Sequence, residues 1–155
     1  MLPLEAPAEP FDVAAFFRRL AGHWRQARTI APGGTYTGQA SFLACGAGCL
    51  DYVEQGTVTL PDRRQLQATQ RYLFALEGPA IAVYFKEDPP RLFHQLNFTA
   101  SSAVGTATAA AGHLCGDDDY RSLYTIHATD RFTVVHEVNG PRKAYVMTTD
   151  YDRTA

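Results

Sequence analysis

Residues 131–151 read RFTVVHEVNGPRKAYVMTTDY. Apolar and polar residues alternate on both sides of Asn139-Gly140. That dipeptide is a strong hairpin signal, because both central positions of a type I′ turn need positive φ. Phe132, Val134, His136 and Val138 share one face of the first strand, an apolar face carrying one histidine. On the second, Lys143, Tyr145 and Met147 align opposite Arg142, Ala144 and Val146. No helical period runs through the stretch, so it predicts an antiparallel hairpin.

The same pattern repeats upstream. In GHLCGDDDYRSLY, residues 112–124, His113 and Cys115 fall on one face of an incoming strand. Gly116 to Asp119 supply turn residues, and Tyr120, Ser122 and Tyr124 share a face of the outgoing strand. Earlier still, WRQARTI, TYTGQASFLA, CLDYVEQGTVTL, QLQATQRYLFAL, AIAVYF and RLFHQLNF are separated by glycine, proline and aspartate clusters. One segment breaks the pattern. After Asp12, a good N-cap, Val13, Phe16, Phe17 and Leu20 recur at helical spacing, and Gly22 can end the turn.

One helix followed by about ten antiparallel strands in meander order leaves two unpaired edges unless the sheet closes on itself. The reading is therefore all-β: an up-and-down antiparallel barrel with one short N-terminal helix as plug or lid. A two-sheet sandwich is the alternative, and the short local connections argue against it. Residues 1–10, with three prolines, read as an extended arm, and 11–155 as a single barrel domain.

The bulk numbers narrow the class. Of 155 residues, 46% are hydrophobic, which suits a folded globule. Lys and Arg number 14 against 16 Asp and Glu, with no basic face of the kind nucleic acid requires. No apolar run approaches the length of a spanning helix, and the start MLPLEAPAEPFD is acidic and proline-rich, unlike a signal peptide. A cytoplasmic protein is expected. Its three cysteines, Cys45, Cys49 and Cys115, are then expected as free thiols.

Several strands have no cleanly apolar face. Aromatic rings mixed with a few polar groups are what a concave ligand pocket needs, apolar area for affinity and placed donors for orientation. On that basis the candidate ligand-binding residues are Tyr52, His94, His113, Cys115, Tyr120, Tyr124, Arg142, Lys143 and Tyr145. His94, His113 and Tyr120 would donate hydrogen bonds to a head group. Arg142 and Lys143, just after the Asn-Gly turn, would sit at the rim and attract an anion such as a carboxylate. His113-x-Cys115 offers two ligands where a structural zinc takes four, so no metal is expected. A nucleophilic Cys115 would need a converging base, and no catalytic residue is assigned.

Four ordered stretches resemble the family called domain of unknown function 6314. They are Leu20-Ala21-Gly22-His23-Trp24 with Gly38-Gln39-Ala40-Ser41-Phe42; Arg91-Leu92-Phe93-His94; His113 to Gly116 through Asp118 and Tyr120 to Tyr124; and Gly140-Pro141-Arg142-Lys143 with Tyr145. The Gly22-x-Trp24 opening, after a helix and before a meander, also resembles the calycin barrels: lipocalins, fatty-acid-binding and nitrobindin-like proteins. That resemblance implies a barrel holding a small hydrophobic or amphipathic molecule. A nitrobindin-like haem site would need a late proximal histidine, and His136 is available. The expected function is small-molecule binding. Two alternatives are a barrel enzyme, haem-dependent or using His94 or His113 with Tyr120 as acid and base, and an oligomerisation module in which the Phe16/Phe17 stripe docks a second copy.

Overall fold

In the computed structural model, residues 10–154 are described, and the arm expected at 1–10 lies outside them except for its last residue. Helix α1 (Val13–Leu20) precedes eleven strands. They are β1 (Gly22–Ala31), β2 (Thr35–Ala44), β3 (Cys49–Thr59), β4 (Gln65–Glu77), β5 (Ala80–Phe85), β6 (Arg91–Asn97), β7 (Thr99–Ala100), β8 (Ala107–Cys115), β9 (Asp118–Ala128), β10 (Arg131–Asn139) and β11 (Ala144–Arg153). All pairings are antiparallel. The order β6-β5-β4-β3-β2-β1-β11-β10-β9-β8-β7 is a meander in which the last long strand returns to pair with the first. The sheet wraps into a nearly closed barrel, as the hairpin series implied.

The remaining seam lies between β6 and β8, which approach one another without sharing a ladder. Side chains bridge it. The Phe93 ring sits 5.6 Å from that of His113, and His94 reaches across to Ser122 on β9. Inward-facing Ala109 and Ala111 of β8 leave the room that reach requires.

The helix plugs one end. The side chain of Asp12 accepts from the Ala15 amide at 3.0 Å, satisfying a donor that the first turn leaves free. At the other terminus, Trp24 Nε1 donates to the Leu20 carbonyl at 2.9 Å, and the Arg153 guanidinium lies 4.4 Å over the Trp24 ring while donating to the Arg19 and Ala21 carbonyls. Phe16, Phe17 and Leu20 are buried among Trp24, Phe98 and Phe132. The stripe read as a docking face for a second copy is thus spent on this chain's own core, as an amphipathic helix ordinarily is.

Three local expectations need correction. The Asn139-Gly140 hairpin forms, but Asn139 pairs with Ala144, and the connection is the four-residue loop Gly140 to Lys143, closed by the Gly140 amide on the Lys143 carbonyl at 2.8 Å. Proline at 141 cannot take the donor role a two-residue turn would give it. The Gly116–Asp119 turn is shorter than read: Cys115 pairs with Asp118, and only Gly116, at φ +62°, and Asp117 lie outside the ladder. Cys45 and Cys49 form a disulfide, because the tight β2–β3 connection places their Cα atoms 5.2 Å apart. Cys115 alone is free, and exposed.

Gly38 and Gly56 are paired across β2 and β3, and the Tyr36 ring lies over both. A Cβ at Gly56 would overlap the Thr37 carbonyl oxygen and come within 2.6 Å of the Tyr36 ring. Gly56→Ala is expected to destabilise the fold by about 1–3 kcal/mol through overpacking against backbone that cannot yield. A drop in the urea midpoint checks it, and an unchanged midpoint would show that both the Thr37 backbone and the Tyr36 ring can shift.

Candidate functional site

Successive inward positions of β1 carry Trp24, Gln26 and Arg28, a gradient from the helix-plugged end into the lumen. Opposite them β3 places Leu50, Tyr52 and Glu54 on one face. Period-two alternation therefore delivers an arginine and a glutamate to the barrel interior, where each must find a partner. Arg28 Nη2 lies 3.0 Å from Glu54 Oε2, both side chains largely buried. Arg28 Nε donates to Thr149 Oγ1 at 2.6 Å, and its guanidinium rests 4.4 Å over the Tyr36 ring.

The surrounding hydroxyls complete the network. Tyr52 donates to Glu54 Oε1 at 2.5 Å, and Gln26 Nε2 lies 3.1 Å from Tyr52 Oη and 3.3 Å from Glu54 Oε1. Tyr36 donates to Gln26 Oε1 at 2.9 Å. Because the one proton of Tyr52 goes to the carboxylate, the 2.8 Å contact with Tyr151 has Tyr151 as donor. Burial, reinforced by Tyr151 and Glu54, raises the Tyr52 phenol well above its usual range, so it stays a donor. For Arg28, burial works against the charge, but Glu54 and the neighbouring phenols outweigh it and raise the pKa.

Beside this network lies a cavity of about 160 Å³. Its walls include Tyr72, Phe74, Tyr124, His136, Met147 and the Arg28–Glu54 pair, and it reaches the surface beside exposed Thr69 and Gln70 of β4. Burial pushes the Tyr72 phenol up to about 12 and that of Tyr124 well above the normal range, so both are neutral hydroxyls there.

A second polar group sits in the wall. Ser122 Oγ lies 3.0 Å from His94 Nε2 and 2.5 Å from His136 Nδ1. Burial, with a contribution from His113, lowers the His94 pKa to about 4; burial, with contributions from His94 and Arg28, lowers that of His136 to about 3. Both rings are neutral at pH 7.

The predicted residues divide between lumen and rim. Tyr52, Tyr124 and His94 are buried in the lumen. His113 and Tyr120 are half-buried register partners at the seam, with ring centroids 6.4 Å apart. Tyr145 is half-buried beside them, facing Val138. Cys115, Arg142 and Lys143 are exposed around the Gly116 and Pro141 turns, Lys143 lying 3.8 Å from Asp118, and none of the three lines the cavity. Outside the candidate binding residues were Gln26, Arg28, Tyr36, Glu54, Tyr72, Ser122 and Tyr151, and His136 was offered only as a haem ligand. The available signal was Gln26-x-Arg28 and Tyr52-x-Glu54, charged residues in phase with Trp24 and Leu50 on faces that had to turn inward.

The cavity does not fit a haem. At about 160 Å³ it falls below the roughly 300–1,000 Å³ of pockets for drug-sized ligands, and a haem is a ligand of that size or larger. Among the described residues, no three His, Cys, Asp or Glu side chains cluster to hold a metal ion.

Residues 20–153 match the family of unknown function DUF6314, and the chain belongs to that family. No curated protein matches it in sequence. Among solved structures, the S-type phycobiliprotein lyase CPES from Guillardia theta is similar with a TM-score of 0.65 at 9% identity, over 92% of this chain and 93% of that one. EF1p2_mFAP2b bound to DFHBI is similar with a TM-score of 0.50 at 16% identity, over 88% and 95%. A fluorescence-activating β-barrel designed de novo gives 0.50 at 9%, over 88% and 95%. At such identities the likeness is one of fold.

Proposed function

We propose that this member of the DUF6314 family binds a small, uncharged, largely apolar molecule in the lumen of its barrel. The observation that carries the reading is the cavity itself: about 160 Å³, walled by Tyr72, Phe74, Tyr124 and Met147 beside an ion pair whose charges already match. An interior that small suits a ligand of one or two rings, since an engineered apolar cavity of comparable size takes up benzene. The fold likeness to a barrel solved with DFHBI supports the same class of function. A carboxylate ligand, expected from Arg142 and Lys143, is not part of this reading: those residues stand outside, and Glu54 neutralises the cation that faces the cavity.

Calorimetric melting with a panel of mono- and bicyclic aromatics tests it. A ligand present at a hundred times its Kd is expected to add about 2.7 kcal/mol of stability, and Met147→Trp, which fills the cavity, to remove the effect. No stabilisation by any member of the panel, or stabilisation that survives Met147→Trp, would sink the reading.

A further inference from the structure

The His94–Ser122–His136 group holds more information than its two distances. Ser122 Oγ carries one proton and touches two ring nitrogens, His94 Nε2 at 3.0 Å and His136 Nδ1 at 2.5 Å. With both rings neutral and no third partner for Ser122 Oγ among the described residues, it donates to one and accepts from the other. Only two arrangements satisfy that. In the first, Ser122 donates to His136, His94 donates to Ser122, and His136 keeps its proton on Nε2. In the second every proton is reversed, and His136 Nε2 is bare.

Two independent observations choose the first. Hydroxyl donors make the shorter bonds and N–H donors the longer, near 2.9–3.0 Å as a mode, so the short contact is Ser122 donating to His136 and the long one is His94 donating to Ser122. His94 is only 2% exposed, and its Nδ1 is buried with no partner among the described residues. The second arrangement would put a proton there, an orphaned N–H in the barrel wall, whereas the first leaves only a lone pair, the more tolerable deficit. His136 lines the cavity, and its Nε2 has no hydrogen-bond partner among the described residues.

We infer that the lumen recognises a neutral hydrogen-bond acceptor, a carbonyl group above all, through the Nε2–H of His136, with Ser122 and His94 fixing that polarity. The inference rests on the lumen-binding reading above and adds the chemistry of the ligand's polar end. Of the other donors at the cavity, Arg28 already spends its charge on Glu54, Nε on Thr149 and its face on Tyr36, and the Tyr72 and Tyr124 hydroxyls can rotate, whereas the Nε2–H of His136 is held in one direction. The histidine is therefore a specificity-determining residue, and Ser122 and His94 are positioning residues.

Two measurements test this. Long-range ¹H–¹⁵N correlation on the ligand-free protein is expected to show both His94 and His136 protonated at Nε2; protonation of either at Nδ1 overturns the inference. Binding of three similarly sized probes is then compared: acetophenone accepts only, indole donates only, and indene does neither. Acetophenone is expected to bind about tenfold tighter than indene in the wild type, a factor equivalent to about 1.4 kcal/mol, and Ser122→Ala to shrink that preference. If the three bind equally, or indole binds best, the inference falls while the lumen reading stands. If none binds, both fall together. Should Ser122→Ala not fold, the wild-type protonation pattern and probe order still decide.

Discussion

Glu54→Ala is expected to lower folding stability by about 3–5 kcal/mol, the range for removing one partner of a buried pair. Three groups lose their acceptor at once: Arg28, Tyr52 and Gln26. The arginine is the costly one, because its side chain is only 12% exposed and its position over Tyr36 keeps it from swinging into water. The double substitution Arg28→Met/Glu54→Leu removes both charges and is expected to recover most of the loss, since apolar replacements of a buried pair are often neutral or better. Urea denaturation of the single and double variants measures the difference. A loss below about 1 kcal/mol for Glu54→Ala would place the pair in the class of solvated surface bridges.

Acidification is the second large effect. The pKa values of His94 and His136 fall in the folded chain to about 4 and about 3, against 6.5 for the free side chain. Above pH 6.5 neither the folded nor the unfolded chain protonates them, and their full stabilising contribution is present. As the pH drops below 6.5 the unfolded chain takes up protons that the folded chain refuses, so stability falls until the folded values are reached. Between pH 7 and 5 the pair is expected to remove about 2–4 kcal/mol, allowing for screening of the half-buried His136 by cavity water. That window lies above most carboxylate titrations. A series of urea midpoints at constant ionic strength reads it, and His94→Gln/His136→Gln is expected to flatten the slope. A wild-type midpoint unchanged over the window would mean that the rings protonate without opening the barrel.

Different parts of the molecule were legible to different degrees. The strands could be read because most turns carry glycine or proline and each strand repeats with period two, as where Gly38, Ala40 and Phe42 share the inner face. Turn geometry was less legible. Asn139-Gly140 looked like a two-residue turn, and Pro141 moved the connection outward by two residues. The site was legible only in part. Tyr52, His94 and Tyr124 were found because aromatics and histidines stand out on strands, whereas Arg28 and Glu54 were passed over because isolated charges on a strand usually face water.

Alternation, turn residues and the Asp12-capped apolar helix settle from the sequence alone that this chain makes an antiparallel meander with a helix against one end. These are local properties, fixed within a few residues of chain. Which polar side chains meet is decided by barrel closure. Gln26 with Tyr52 and Arg28 with Glu54 are separated by 26 residues, and His94 and Ser122 by 28. Only the wrap of the sheet and the small side chains of β8 bring the last of these pairs within hydrogen-bonding distance, because a strand's own geometry sets the direction of a side chain but not what stands across the lumen from it.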